Sequence, residues 1–129
     1  MGFELYEETK FYTDLFYVSG PGAAMTTLDY NDTKRYSRVD GISIQNPDSI
    51  DHTFTFGISS PTSSSIIGEV VVPAGSGVGL LPPFDALAVI APPTVIPIRF
   101  QPEQFLSIVS VEAIVDSVGL SVIVSRGEF

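Results

Sequence analysis

Ten prolines and eleven glycines are spread so evenly through the 129 residues that few windows of a dozen escape them. A helix interior loses roughly 3 kcal/mol to each proline and about 1 kcal/mol to each glycine, so long helices are hard to place. Between the breaks lie short segments rich in Val, Ile, Thr, Phe and Tyr with period-two alternation, the signature of strands. "FYTDLFYV" (11–18) alternates weakly. "HTFTFGIS" is clearer, with Phe54, Phe56 and Ile58 on one face and Thr53, Thr55 and Gly57 on the other. "GLSVIVS" sends Leu120, Val122 and Val124 one way and Ser121, Ile123 and Ser125 the other. "RVDGISIQN" places Val39 on the face opposite Ile42 and Ile44, with Gly41 at a bulge. Further strands are expected in "SIIGEVVVP" after a serine-rich turn, in "TVIPIRF" and in "FLSIVSVEAIV".

About eight to ten short strands at such spacing predict an all-β chain, either an antiparallel sandwich or a jelly-roll-like barrel. Little or no helix is expected beyond one turn at "PEQFLSIV", where Pro102 suits a first helical position. Asp116 and Ser117 ahead of Gly119 predict a tight turn joining the final two strands. No repeat or linker splits the chain, which is expected to form one domain. Residues 1–38 form a compositionally distinct strand or arm segment, and residues 39–129 form the sandwich core.

With 44% hydrophobic residues the chain has enough apolar surface for a core without disulfides, and it has no cysteine to form any. Fifteen acidic against six basic residues leave a net charge of −9, which repels phosphate backbones and anionic lipid. Nucleic acid and membrane surfaces are therefore not expected as partners, and no stretch approaches the ~20 apolar residues of a membrane helix. The amino-terminal "MGFELYEETKF" has no apolar run, so a signal peptide is not expected.

"VVVPAGSGVGLLPPFD" (70–85) raises the question of a phosphate-cradling loop. Gly75, Gly77 and Gly79 do not spell a dinucleotide fingerprint, and the lysine of a P-loop is missing. Both motifs also open a helix, whereas this stretch runs into Pro82 and Pro83. The expectation is strand, then a flexible turn or exposed loop, then a segment stiffened by the two prolines.

Other chemical candidates are equally thin. His52 is the single histidine. It lies in phase with Phe54 and Phe56 and beside Asp51, the place of a strand-end residue near a polar turn. No serine sits in a nucleophile elbow. Glu69, Glu112 and Asp116 are not paired by any spacing, so no general acid or base is nominated. "DYNDTKR" (29–35) fails as a calcium loop at Thr33 and Lys34. "NPDSID" (46–51) predicts a turn in which Asx side chains bond their own backbone. No catalytic residue, metal ligand or cofactor is expected, and the chain is not expected to be an enzyme.

Charge and aromaticity are distributed unevenly. Between Thr53 and Ile98 only Glu69 and Asp85 are charged, and all five tyrosines fall within the first 38 residues. Two readings account for the apolar middle: strands buried on both faces, or a protein-contact surface. The candidate contact residues are Tyr6, Tyr12, Tyr17, Tyr30, Tyr36, Leu80, Leu81 and Phe84. Tyrosines gathered on one face would serve a sugar ring as well as a protein neighbour.

The order "ISIQNPDSIDHTFTFGI", "GEVVVPAGSGVGLLPPFDAL" and "QFLSIVSVEAIVDSVGLSVIVS" resembles small all-β virion proteins of tailed bacteriophages, over about residues 39–126. In those, a strand ending in Asn precedes one of the "HTFTF" kind, a "VPAGSG" turn follows, and a pair of hairpin strands closes the domain. The resemblance implies a non-enzymatic capsid decoration (cement) protein, located in the virion and assembled in the host cytoplasm. It further implies a homo-oligomer, a trimer being favoured, that binds the major capsid protein. The alternative is a glycan- or receptor-binding module of a phage tail or fibre. No functional residue is carried over, because the shared motifs are turns.

Overall fold

The computed structural model describes residues 10–22, 25–30, 36–90, 98–115 and 118–128. In chain order the elements are β1 (Lys10–Val18), β2 (Met25–Tyr30), β3 (Ser37–Gln45), β4 (His52–Ser60), β5 (Ser63–Val72) and β6 (Phe84–Asp85). Then come α1 (Ala86–Ile90), β7 (Ile98–Phe100), β8 (Phe105–Ser110) and β9 (Leu120–Glu128). One sheet runs β1-β9-β3-β6, with β7 also on β3, and the other runs β2-β8-β4-β5. Every pairing is antiparallel.

Starting from the hairpin of β4 and β5, each strand outward pairs with a later one: β3 with β6 and β7, β2 with β8, β1 with β9. This is one long hairpin rolled so that β9 also meets β3 and β8 also meets β4. That topology is a jelly roll, one of the two architectures the alternation allowed.

The inner faces make a single core. Val39, Ile42, Ile44, Leu120, Val122 and Val124 come from the first sheet; Leu28, Phe54, Phe56, Val70, Val72, Leu106 and Ile108 come from the second. Strict alternation carries Leu120, Val122 and Val124 inward as expected. Val39 departs from expectation: it is buried on the same side as Ile42 and Ile44. The register passes from Val39 opposite Arg126 to Gly41 opposite Ser125, so Asp40 is the extra residue of a bulge. One inserted residue resets the phase of a period-two pattern and returns Val39 to the core.

Two further expectations are corrected. The last two strands are not a hairpin, because β8 belongs to the second sheet and β9 to the first. The chain crosses the end of the sandwich between them, held by an isolated bridge of Gly20 and Ile114. A turn does form near the expected place, with the Val118 and Gly119 amides donating to the Val115 carbonyl; Asp116 and Ser117 themselves lie outside the described residues.

The helical turn expected at Pro102 is a β-turn, closed by Gln104 N–H donating to the Gln101 carbonyl at 3.1 Å. Pro102 fixes a negative φ at the second position and Glu103 has φ 70°, the combination of a type II turn. The one helix among the described residues instead follows Asp85, whose carboxylate caps it by accepting the Ala88 amide at 3.1 Å. This short α1 packs on β3 and β5 and so closes one side of the sandwich, with Ile90 seated against Gly68.

Glu103 is the only described residue other than glycine with positive φ, a conformation costing an L-residue roughly 1–2 kcal/mol. Glycine removes that cost but adds about 0.5–1 kcal/mol of unfolded-state entropy. Glu103→Gly is therefore expected to gain about 0.5 kcal/mol in urea denaturation, and the β-branched Glu103→Val to lose about 1 kcal/mol.

Candidate interaction surface

The glycine-rich stretch belongs to the architecture, and its anchor is Asn46 at the end of β3. The Asn46 side chain is wholly buried. Its amide donates to the carbonyls of Ile50, Val72 and Pro73 at 3.0, 3.2 and 3.3 Å. Its carbonyl oxygen accepts the Asp48 amide at 3.0 Å, the Asx turn expected of "NPDSID". Its backbone amide donates to Ser76 at 2.8 Å. From the neighbouring position, the Gln45 side-chain amide donates to Gly77 at 3.0 Å.

Gly77 has φ +76°, and a Cβ there would press on the Gln45 side chain at 3.0 Å, so only glycine fits. The amides of Ser76, Gly77, Val78 and Leu81 donate to Pro73, Pro82, Gly75 and Val78 within the loop itself. A phosphate cradle needs such amides turned outward, and these are already spent. The loop is thus pinned at its base, while Leu80 and Leu81 project into solvent at its tip.

His52 opens β4 fully buried, with Nε2 2.8 Å from Asp48 Oδ2. An ionised carboxylate only accepts, so Nε2 carries the hydrogen. The bond to His52, seconded by the Ser49 amide, holds the Asp48 carboxyl below its ordinary value. An enclosed imidazole cannot meet a substrate; it supports the turn. Asp51 accepts the Ala74 amide at 2.8 Å, tying the same turn to the loop after β5. Glu112 accepts the Thr53 amide at 3.0 Å, and Glu69 lies opposite Thr55. Of "DYNDTKR", residues 29 and 30 fall in β2, and 31–35 lie outside the described residues.

The contact candidates separate by strand parity. Tyr6 and the side chain of Tyr30 lie outside what the structure describes. Tyr12 and Tyr17 sit on opposite faces of β1, so they do not build one platform. Tyr12 points inward at the end of the sandwich beneath Arg126, whose guanidinium lies 4.5 Å from the ring centroid. Arg126 also binds Asp14 at 2.7 Å and Glu128 at 3.3 Å. Tyr17 points outward and lies over Gly119, where any side chain would collide with its ring. Tyr36 is exposed just ahead of β3. Phe84 is half-buried and packs against the core.

Three outward residues of β1 are conspicuous: Phe11, Leu15 and Tyr17 are 69%, 70% and 57% exposed. Their partners on β9 are Gly127, Ile123 and Ser121, and beyond these on β3 lie Arg38, Ser43 and Gln45. The result is an apolar ridge that the exposed Ile123 extends onto β9. From Phe11 to Val18 the one charged residue is Asp14, and it faces inward to Arg126. β1 also ends its sheet, pairing with β9 alone among the described strands. Phe11 and Leu15 were not singled out by the tyrosine-centred reading; their alternation with inward Tyr12, Asp14 and Phe16 was the available signal. The outer face of the second sheet carries a shallow hollow of ≈ 420 Å³ over Gly57, lined by Thr55, Ser59, Ser64, Ser65 and Ser107 together with the apolar Met25, Ile66 and Val109.

Truncation of Asn46 strands buried carbonyls, so Asn46→Ala is expected to cost about 3 kcal/mol in chemical denaturation. Asn46→Asp is expected to cost more at pH 7, because it sets an anion against three carbonyl oxygens. Asp48 follows the sign of its lowered pKa: its stabilisation is present above the ordinary carboxylate value and is lost as pH falls through the folded value. Asp48→Asn should accordingly lower the melting temperature at pH 7 and flatten its decline below about pH 4, as followed by circular dichroism.

No protein-family model matches the chain, and neither a curated protein nor a solved structure matches it.

Proposed function

We propose that this protein is a non-enzymatic assembly protein that associates with copies of itself through the outer face of β1. The observation that carries this reading is the ridge of Phe11, Leu15 and Tyr17 on an edge strand. Natural sheets blunt exposed edges with outward charge, proline or a covering element. β1 has no proline and no outward charge from Phe11 to Val18, so a neighbouring subunit is the cover that suits it. Such a neighbour gains apolar burial from the ridge and main-chain bonds from the edge.

The resemblance to small virion proteins of tailed phages adds the setting. On that basis the assembly is a capsid decoration protein, a trimer being the favoured form, bound to the major capsid protein of the head shell. Jelly rolls serve as capsid and lectin domains, which fits this setting. A ligand that binds only the assembled shell stabilises it by mass action. The rival reading as a tyrosine-lined glycan platform has less support, since Tyr12 and Tyr17 face opposite ways.

Sedimentation tests the proposal. The wild-type chain should sediment as an oligomer whose association strengthens with salt, because a net charge of −9 opposes contact between copies and salt screens it. Leu15→Glu should sediment as a monomer with the circular dichroism spectrum of the wild-type chain, since Leu15 is exposed in the single chain. A wild-type chain that stays monomeric at all salt concentrations and does not co-sediment with phage heads overturns the reading.

A further inference from the structure

The end of the sandwich built around Asn46 carries apolar side chains into solvent. Leu80 is fully exposed at the tip of the loop between β5 and β6, and Leu81, Ile50, Val111 and Val115 are each more than half exposed. Hydrogen bonds gather the connections that bear them. Asn46 ties the turn 46–51 to Val72 and Pro73, Asp51 ties it to Ala74, and the Val111 amide donates to the Thr53 carbonyl at the start of β4. Leu80 and Leu81 stand on a loop already bonded within itself at Ser76, Gly77, Val78 and Leu81, so a partner that takes them up orders little chain on binding. Exposed apolar residues on a preformed support mark a contact surface.

Charge identifies the kind of partner. Asp48, Asp51 and Glu112 lie at this end, and their bonds run to backbone amides and to His52. The basic residues among those described are Lys10, Arg38, Arg99 and Arg126. All four lie at the opposite end, where Lys10 pairs with Glu128, Arg126 with Val39, and Arg38 with Gly127 and Arg99. The run of β3 from Arg38 to Gln45 spans roughly 20 Å at about 3.3 Å per residue. Physiological salt screens exposed charges beyond about 8 Å. The carboxylates of the loop end therefore keep a negative field of their own, which repels acidic surfaces and attracts basic ones.

We propose that this loop end, with Leu80 and Leu81 as its anchor, docks on a protein surface that presents lysine or arginine beside an apolar pocket. The leucines supply the burial. Asp48, Asp51 and Glu112 steer the approach and select against acidic surfaces. The surface uses other residues than the β1 ridge and does not depend on association through it.

Selection of a random peptide library against the full chain carrying Leu15→Glu tests this with the β1 ridge disabled. The enriched peptides should combine Lys or Arg with Leu, Ile or Phe. The most enriched peptide, titrated into the ¹⁵N-labelled chain, should saturably shift the amides of 48–52, 78–81 and 111–115. Leu80→Ser combined with Leu81→Ser should weaken that binding by about ten-fold or more and keep the circular dichroism spectrum, since both side chains are exposed. Binding should weaken as salt rises, the reverse of the association through β1. Enriched peptides without basic residues, a library that yields no binder, or equal binding by the double variant overturns the proposal. So does dispersal of a wild-type oligomer by the double variant, which would make the loop end a contact between copies. A wild-type chain that never oligomerises bears on β1 alone, so the two proposals fail independently.

Discussion

The side chain of Asn46 ties β3, in one sheet, to the end of β5, in the other, and to the turn that leads into β4. The chain crosses from one sheet to the other at most of its connections, yet side-chain packing alone is tolerant of sliding. A buried primary amide is not tolerant, because each donor left without a carbonyl costs on the order of 1–3 kcal/mol. The amide therefore fixes where β3 stops relative to β5. Once that distance is set, Gln45 and the Asn46 amide can hold Gly77 and Ser76, and the loop from 73 to 83 closes on itself. His52, Asp48 and Asp51 then seal the same end from the side of β4.

This anchoring gives the molecule two unlike regions. Around Asn46, backbone groups in the loops find partners and the loops are short or tied. Along β1, by contrast, the side chains are large and apolar, and the free edge has no strand beside it among those described. The difference lies in what each region leaves unsatisfied. The Asn46 end has bonded its loop backbone internally, though His52 Nδ1 stays buried without a partner, whereas the edge still offers both backbone groups and apolar area. Association directed through β1 would leave the Asn46 network untouched, so stability and assembly can vary separately in this fold.

Much of the fold was legible because period-two alternation is a local property. Leu120, Val122 and Val124 announced the inner face of β9, and Phe54 and Phe56 that of β4. The Asx turn at Asn46 was also legible, since an Asx side chain bonds backbone two residues away. What could not be seen was anything set by distant partners. The bulge at Asp40 was visible as a glycine beside it, but not its consequence for Val39, which depends on where Arg126 and Ser125 fall on β9. The assignment of β8 and β9 to different sheets likewise escaped a reading that saw two strands and a turn signal. Pro102 suited a helix start and a type II turn equally; the bond between Gln101 and Gln104 decides it. The contact residues were legible only as aromatics. Strand parity, known once β1 was paired with β9, turned Tyr12 inward and brought Phe11 and Leu15 forward.

Charge adds a last constraint. An apolar edge on a neutral chain would pair indiscriminately, yet here each copy carries a net charge of −9. Repulsion of that size is long-ranged and non-specific, whereas apolar burial along β1 is short-ranged and depends on fit. A poorly matched encounter gains too little contact to offset the repulsion, but a matched one that buries Phe11, Leu15 and Tyr17 together can. In the proposed association through β1, the acidic surface would thus act as a filter on the edge.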